Sequence, residues 1–199
     1  MARPASALLL GALAFAGCMG SGEDAIPESA GEQLVLLSAD LPAVFSQFDG
    51  GKLVLADFLP GPREDPERFG RLSGWKARFK RGGGPKTAGP LIVESRADLF
   101  EDSSGADQDL EAYLEQFEET RASSPGSSRL LDVAGLGKEA VGFTLRQPGS
   151  SAVRHITVAW RDGNATASVS VSGFEGKLTL GHVLAVARKQ ERRIAVAAE

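Results

Sequence analysis

Cysteine is almost missing from this chain of 199 residues, which has one, Cys18. A lone thiol excludes an internal disulfide, so a folded domain here must hold together through its core. Histidine is nearly as scarce. Neither His155 nor His182 has a second His, Cys or carboxylate at metal-ligand spacing, so no metal and no cofactor are expected. Positive charge is not in excess either. The chain carries −4, and removing residues 1–17, whose only charged side chain is Arg3, leaves 21 basic against 26 acidic residues, or −5. That balance lacks the basic footprint that releases phosphate counterions, which excludes nucleic acid as a partner.

Catalytic signatures are missing in the same way. No G-x-S-x-G elbow accompanies the many serines. Gly82-Gly83-Gly84 with Pro85-Lys86-Thr87 lacks the G-x-x-x-x-G-K-[ST] order, and it joins two expected strands where a phosphate loop enters a helix. Asp98, Glu101, Asp102, Asp107 and Asp109 form an acidic stretch without the spacing of a calcium loop. Acids there suit the N-terminus of a following helix. The chain is therefore expected not to be an enzyme. A hydrolase would need His155 or His182 beside a serine and a carboxylate in one cleft.

What is present begins with an address. Arg3 opens a short positive start, and Ala7 to Gly17 is an apolar run too short for the roughly 20 residues of a membrane-spanning helix. Both are regions of a secretory signal. Phe15-Ala16-Gly17-Cys18 resembles a bacterial lipobox, with Phe15 where Leu is usual. On that reading residues 1–17 are a signal peptide and Cys18 carries the lipid. Two or more acyl chains then hold the protein at the membrane, each buried methylene contributing about 0.8 kcal/mol. An ordinary cleavage after Ala14-Phe15-Ala16 is the competing reading. Residues 18–32, small and polar with Pro27, read as a flexible tether.

Residues 33–199 are expected to form a single α+β domain, an antiparallel sheet of about five or six strands with helices packed against it. A hairpin is predicted from Val153–Arg161 and Asn164–Ser172 around Asp162-Gly163. It pairs Trp160 with Ala165 and Val158 with Ala167 on an apolar face, and His155 with Ser170 on a polar one. Strands with period-two alternation are predicted at Trp75–Lys80, Leu91–Arg96 and Ala140–Leu145, with another at Lys52–Phe58. Leu110, Tyr113, Leu114 and Phe117 fall on one helical stripe, capped by Asp107 or a nearby Ser. A last helix is predicted from Leu180 to Val196 with Thr179 as cap, and a short one over Asp40–Phe48. Leu59–Leu72, Arg81–Gly89 and Arg121–Arg129 read as surface loops.

The candidate binding surface is basic. Lys76, Arg78 and Lys80 form a row on one strand, and Arg63 and Arg68 lie in the polar loop Gly61–Gly70. Such a row attracts anionic lipid or acidic polymer, or simply solvates a strand face.

The lipobox, the Gly74-Trp75-Lys76-Ala77-Arg78 strand, the Trp160-Arg161 hairpin and the final Ala187-Arg188-Lys189-Gln190 helix together resemble high-GC, actinobacterial-type lipoproteins with a PsbP-like α+β domain. That resemblance implies a non-enzymatic accessory or binding module and carries over no site residue. The expected function is a membrane-anchored module of the cell envelope on the extracytoplasmic side. Its partner would be an envelope protein, a lipid or a polysaccharide. A structural role in envelope assembly is the alternative.

Overall fold

The computed structural model describes residues 25–199. The expected signal peptide, Cys18 and the first part of the tether lie outside the described residues. Seven strands form one antiparallel sheet: β1 (Ser46–Lys52), β2 (Arg71–Lys80), β3 (Ile92–Phe100), β4 (Ser128–Leu131), β5 (Glu139–Gln147), β6 (Val153–Asp162) and β7 (Ala165–Phe174). Their order across the sheet is β1-β2-β3-β7-β6-β5-β4. Two α-helices, α1 (Ser103–Ser123) and α2 (Leu180–Ala197), lie on opposite faces. The α+β class and single domain stand as expected, with one more strand than anticipated.

Alternation on the strands decides the layers. On one face Phe79, Val93, Val158, Trp160, Val169 and Val171 are fully or almost fully buried beneath α2. Val183, Ala187 and Ile194 of α2 complete that core, on the stripe expected for the helix. The opposite face carries Glu94, Arg96, Thr157 and the row Thr166, Ser168, Ser170 and Ser172. There α1 sets Leu110, Tyr113 and Phe117 against Phe143 and Ala159. The Phe117 and Phe143 rings stack at 5.1 Å. Leu114, expected on this stripe, is 37% exposed.

The hairpin differs from its expected register by two residues. Asp162 pairs with Ala165, Trp160 with Ala167 and His155 with Ser172, so Gly163-Asn164 is the two-residue turn. Gly163 takes φ +55°, which suits the first turn position where only glycine is unstrained. A shift of two preserves both faces, because side chains repeat with period two. Asn164 is buried, donating to the Phe100 carbonyl at 2.8 Å and accepting from Ile26 N–H at 2.8 Å.

Five other expectations are corrected. The tether does not run to residue 32: Ile26, Ala30 and Leu34 are buried, the last two on a 3-10 helix over Glu28–Leu34. No helix covers Asp40–Phe48, where a 3-10 turn at Ser38–Asp40 precedes strand β1. Pairing with β2 decides this segment, since its own pattern is not apolar. The strand expected at Lys52–Phe58 ends at Lys52, because the Asp57 carboxylate accepts from Val54 N–H at 3.0 Å and closes a turn. Finally, the loop expected at Arg121–Arg129 is the end of α1 followed by the edge strand β4. The cap of α1 is Asp102, which accepts from Gly105 N–H at 3.0 Å.

Candidate functional site

Between α1 and the segment Asp57–Arg63 the polar face of the sheet is left partly uncovered. The floor is built by short side chains, Thr157 on β6 with Ser168 and Ser170 on β7. Their small volume keeps the α1 and loop walls apart over a cleft of about 320 Å³. The floor hydroxyls are bound to neighbours: Thr157 Oγ1 lies 2.9 Å from Ser170 Oγ, and Tyr113 donates to Ser168 Oγ at 2.9 Å. Phe117, Phe143 and Leu145 line one wall, and Phe58 and Leu59 the other. Leu59 is 77% exposed at the rim. Glu94, Arg96, Asp57, Gln116 and His155 add polar groups around these walls.

Beneath the loop wall lies a buried charge cluster. Arg63 donates to both oxygens of Asp109, from Nε at 2.8 Å and Nη2 at 2.9 Å, and from Nη2 to Asp98 at 3.2 Å. Arg71 Nε donates to the other Asp98 oxygen at 2.6 Å. Asp109 and Asp98 are at most 1% exposed. The Arg63 guanidinium also lies 3.6 Å over the Tyr113 ring. Two guanidinium groups match two carboxylates, so the cluster is neutral. Burial and the neighbouring acid push the Asp109 carboxyl up, while Arg63 draws it down; the two-pronged geometry is that of an ion pair. The cluster fixes the loop that forms one wall. Only one signal was visible in sequence: Asp109 precedes Tyr113 by four residues, an acid on the inner stripe of its helix.

The five residues expected to form a basic surface are not brought together as one. Arg63 is inside the protein, contrary to the expectation of an exposed loop residue, because two buried carboxylates hold it. Arg68 donates to the Pro62 carbonyl at 2.5 Å and lies over the Phe69 ring. Lys76 bonds Asp57 and faces Asp49 at 3.6 Å, while Arg78 pairs with Glu94 at 2.9 Å. Lys80 stands over the Phe48 ring at 5.3 Å. Most of the row is thus matched by acids from neighbouring strands and loops. Asp57, though burial opposes it, is held below the ordinary carboxylate range by the Lys76 ammonium.

His155 is in the cleft and reaches a serine. Its Nδ1 lies 2.7 Å from Ser172 Oγ, and its Nε2 lies 3.3 Å from Gln147 Oε1. The carbonyl oxygen of Gln147 can only accept, so Nε2 carries the proton and Ser172 donates to Nδ1. A hydrolytic triad needs a carboxylate where Gln147 stands. His182 instead accepts from Thr179 N–H at 3.2 Å at the start of α2. Among the described residues no three His, Cys, Asp or Glu side chains cluster as metal ligands, and no helix is long and apolar enough to cross a membrane.

Burial pushes the His155 imidazole below its ordinary pKa of 6.5. The unfolded chain then binds more protons than the folded one between that folded value and 6.5. Stability accordingly rises with pH across this window and falls as pH drops through it. Urea unfolding between pH 7.5 and 5.5 is expected to show this slope, and His155→Gln to flatten it. An unchanged slope in that variant would assign the effect to other groups.

Comparison with known proteins adds a fold. No protein-family model and no curated protein sequence matches the chain. The extracellular domain of PknH from Mycobacterium tuberculosis, known as a crystal structure, is similar with a TM-score of 0.60 at 13% identity. The match covers 88% of this chain and 100% of that one, so essentially the whole described domain shares the fold of an extracellular domain.

Proposed function

We propose that this protein is a lipid-anchored, extracytoplasmic binding module of the cell envelope that acts without catalysis and takes its ligand in the cleft over β6 and β7. One observation carries this reading: a small concave site joins an aromatic wall to a floor of hydroxyls, with the Glu94–Arg96 ion pair at its edge. Mostly apolar sites with a few fixed polar groups are the usual form of ligand pockets. The ligand that fits has one apolar face for Phe117 and Phe143 and several hydroxyls for the floor. A sugar unit of an envelope polysaccharide has both. The export signal and Cys18 support the address, and the extracellular placement of the PknH domain agrees with it. On this reading Cys18 tethers the domain to a membrane.

The test is to present the full chain to oligosaccharides released from bacterial envelopes and compare it with Thr120→Trp. Thr120 lies on α1 at the cleft, so the larger ring fills the site without touching the core. Saturable retention by the parent, weakened at least about tenfold in the variant, is the expected result; tenfold is about 1.4 kcal/mol of binding. Equal retention by both proteins, or none by either, sinks the proposal.

A further inference from the structure

A second concavity lies on the other side of the sheet, remote from the cleft residues. It is formed where the segment after the Ser38–Asp40 turn meets the β2–β3 loop and the first turns of α2. Its volume is about 350 Å³. Leu41, Val93 and Val186 make a buried apolar floor, and Phe45 and Ala185 extend it outward. Its only charged or titratable lining groups are Arg81, His182 and Lys189; no acid lines it.

Two of these groups, Arg81 and His182, stand together at one mouth. Arg81 is held in place, donating from Nε to the Pro90 carbonyl at 2.5 Å and from Nη2 to the Ala88 carbonyl. Three of its five N–H groups therefore have no acceptor among the described residues. His182 accepts at Nδ1 from the Thr179 backbone, which leaves Nε2 as a donor. These two donors converge. A Cβ built on Gly89 would stand 3.5 Å from Arg81 Nη2 and 3.8 Å from His182 Nε2. Gly89 has φ +78°, a backbone conformation that side chains rarely adopt, so the position between the two donors stays open. Lys189 adds a second full positive charge and spends one N–H on the Asp40 carbonyl at 2.5 Å.

We propose that this groove binds a single-chain amphiphile with an anionic head, a fatty-acid carboxylate. The carboxylate would sit between Arg81 and His182, and the chain would lie on Leu41, Val93 and Val186. A wholly apolar ligand would cover the remaining Arg81 N–H groups without offering them an acceptor, which is costly. A small hydrated anion would leave the apolar floor unused. The volume is at the low end for ligand pockets and admits one chain rather than two. The proposal does not rest on the saccharide reading of the cleft.

The experiment titrates the full chain with laurate, kept below its micelle concentration, by displacement of dansylundecanoate fluorescence. Dodecanol and anionic phosphatidylglycerol vesicles are run in parallel. One-to-one laurate binding is expected, about tenfold weaker in Arg81→Gln and for dodecanol, since each removes one side of the charge-assisted hydrogen bond. Ala185→Phe, at an exposed helical position, should abolish binding while leaving unfolding unchanged, and Thr120→Trp should leave laurate binding intact. Absence of saturable laurate binding overturns the proposal, as does equal affinity for dodecanol. Vesicle binding without laurate uptake, undiminished by Ala185→Phe, overturns it in favour of a membrane-facing surface.

Discussion

Replacing Arg63 by alanine is expected to cost about 3–5 kcal/mol of folding stability, because it leaves buried carboxylates without their cation. Asp109 would lose both of its guanidinium bonds and Asp98 one of two. The Tyr113 ring would lose the cation packed on its face. The loss should shrink on acidification. With the guanidinium gone, nothing from Arg63 offsets the burial that pushes the Asp109 carboxyl up, and protonating it removes that buried charge. Urea unfolding at pH 8 and pH 5 checks both parts. A loss under about 1 kcal/mol at pH 8, typical of an exposed ion pair, would contradict the buried-cluster account. The cleft wall should loosen in the same variant, so any cleft ligand should bind it more weakly than it binds the parent.

Trp160 offers a contrast within one side chain. It is fully buried on the α2 face of β6, and Trp160→Ala should cost about 3–5 kcal/mol through lost burial and the cavity left behind. Its indole Nε1, however, has no hydrogen-bond partner among the described residues. Leaving a buried donor unpaired costs about 1–3 kcal/mol, and phenylalanine removes that donor along with part of the ring. Trp160→Phe is therefore expected to cost under about 1.5 kcal/mol, the range of well-tolerated apolar exchanges. Thermal or urea unfolding of the two variants decides it. Equal losses would mean that the whole indole volume matters and the unpaired nitrogen does not. Gly137 explains how the ring fits, since a Cβ there would come within 2.6 Å of Trp160 Cδ1.

Much of the frame is legible in the sequence. Period-two alternation identified β2, β3, β5, β6 and β7 and separated their two faces, because a strand side chain has only two directions to take. The stripes Leu110–Phe117 and Leu180–Ile194 located both α-helices, and Thr179 marked the start of α2. Segments whose own pattern is weak were misread. β1, with Ser46, Gln47, Asp49 and two glycines, exists because β2 offers it a ladder of backbone bonds. β4 is four residues long and is likewise fixed by its neighbour β5.

The amino-acid sequence by itself determined the two faces of the five alternating strands, where α1 and α2 lie, and that a lipobox-like cysteine follows an apolar run. Each of these is a local property, carried by spacing along one segment. Tertiary structure decided what local spacing cannot encode. Two hairpin registers that differ by two residues give identical faces, so the alternation could not choose between them; the Gly163-Asn164 turn and the burial of Asn164 did. β3 meets β7 across a long stretch of chain, placing Glu94 beside Ser170 and thereby forming the cleft floor. Arg63, Asp98 and Asp109 read singly as ordinary surface charges. Only the packing of α1 and the loop on the sheet brought them into one buried cluster, because a charge leaves water only where its partners are already in place.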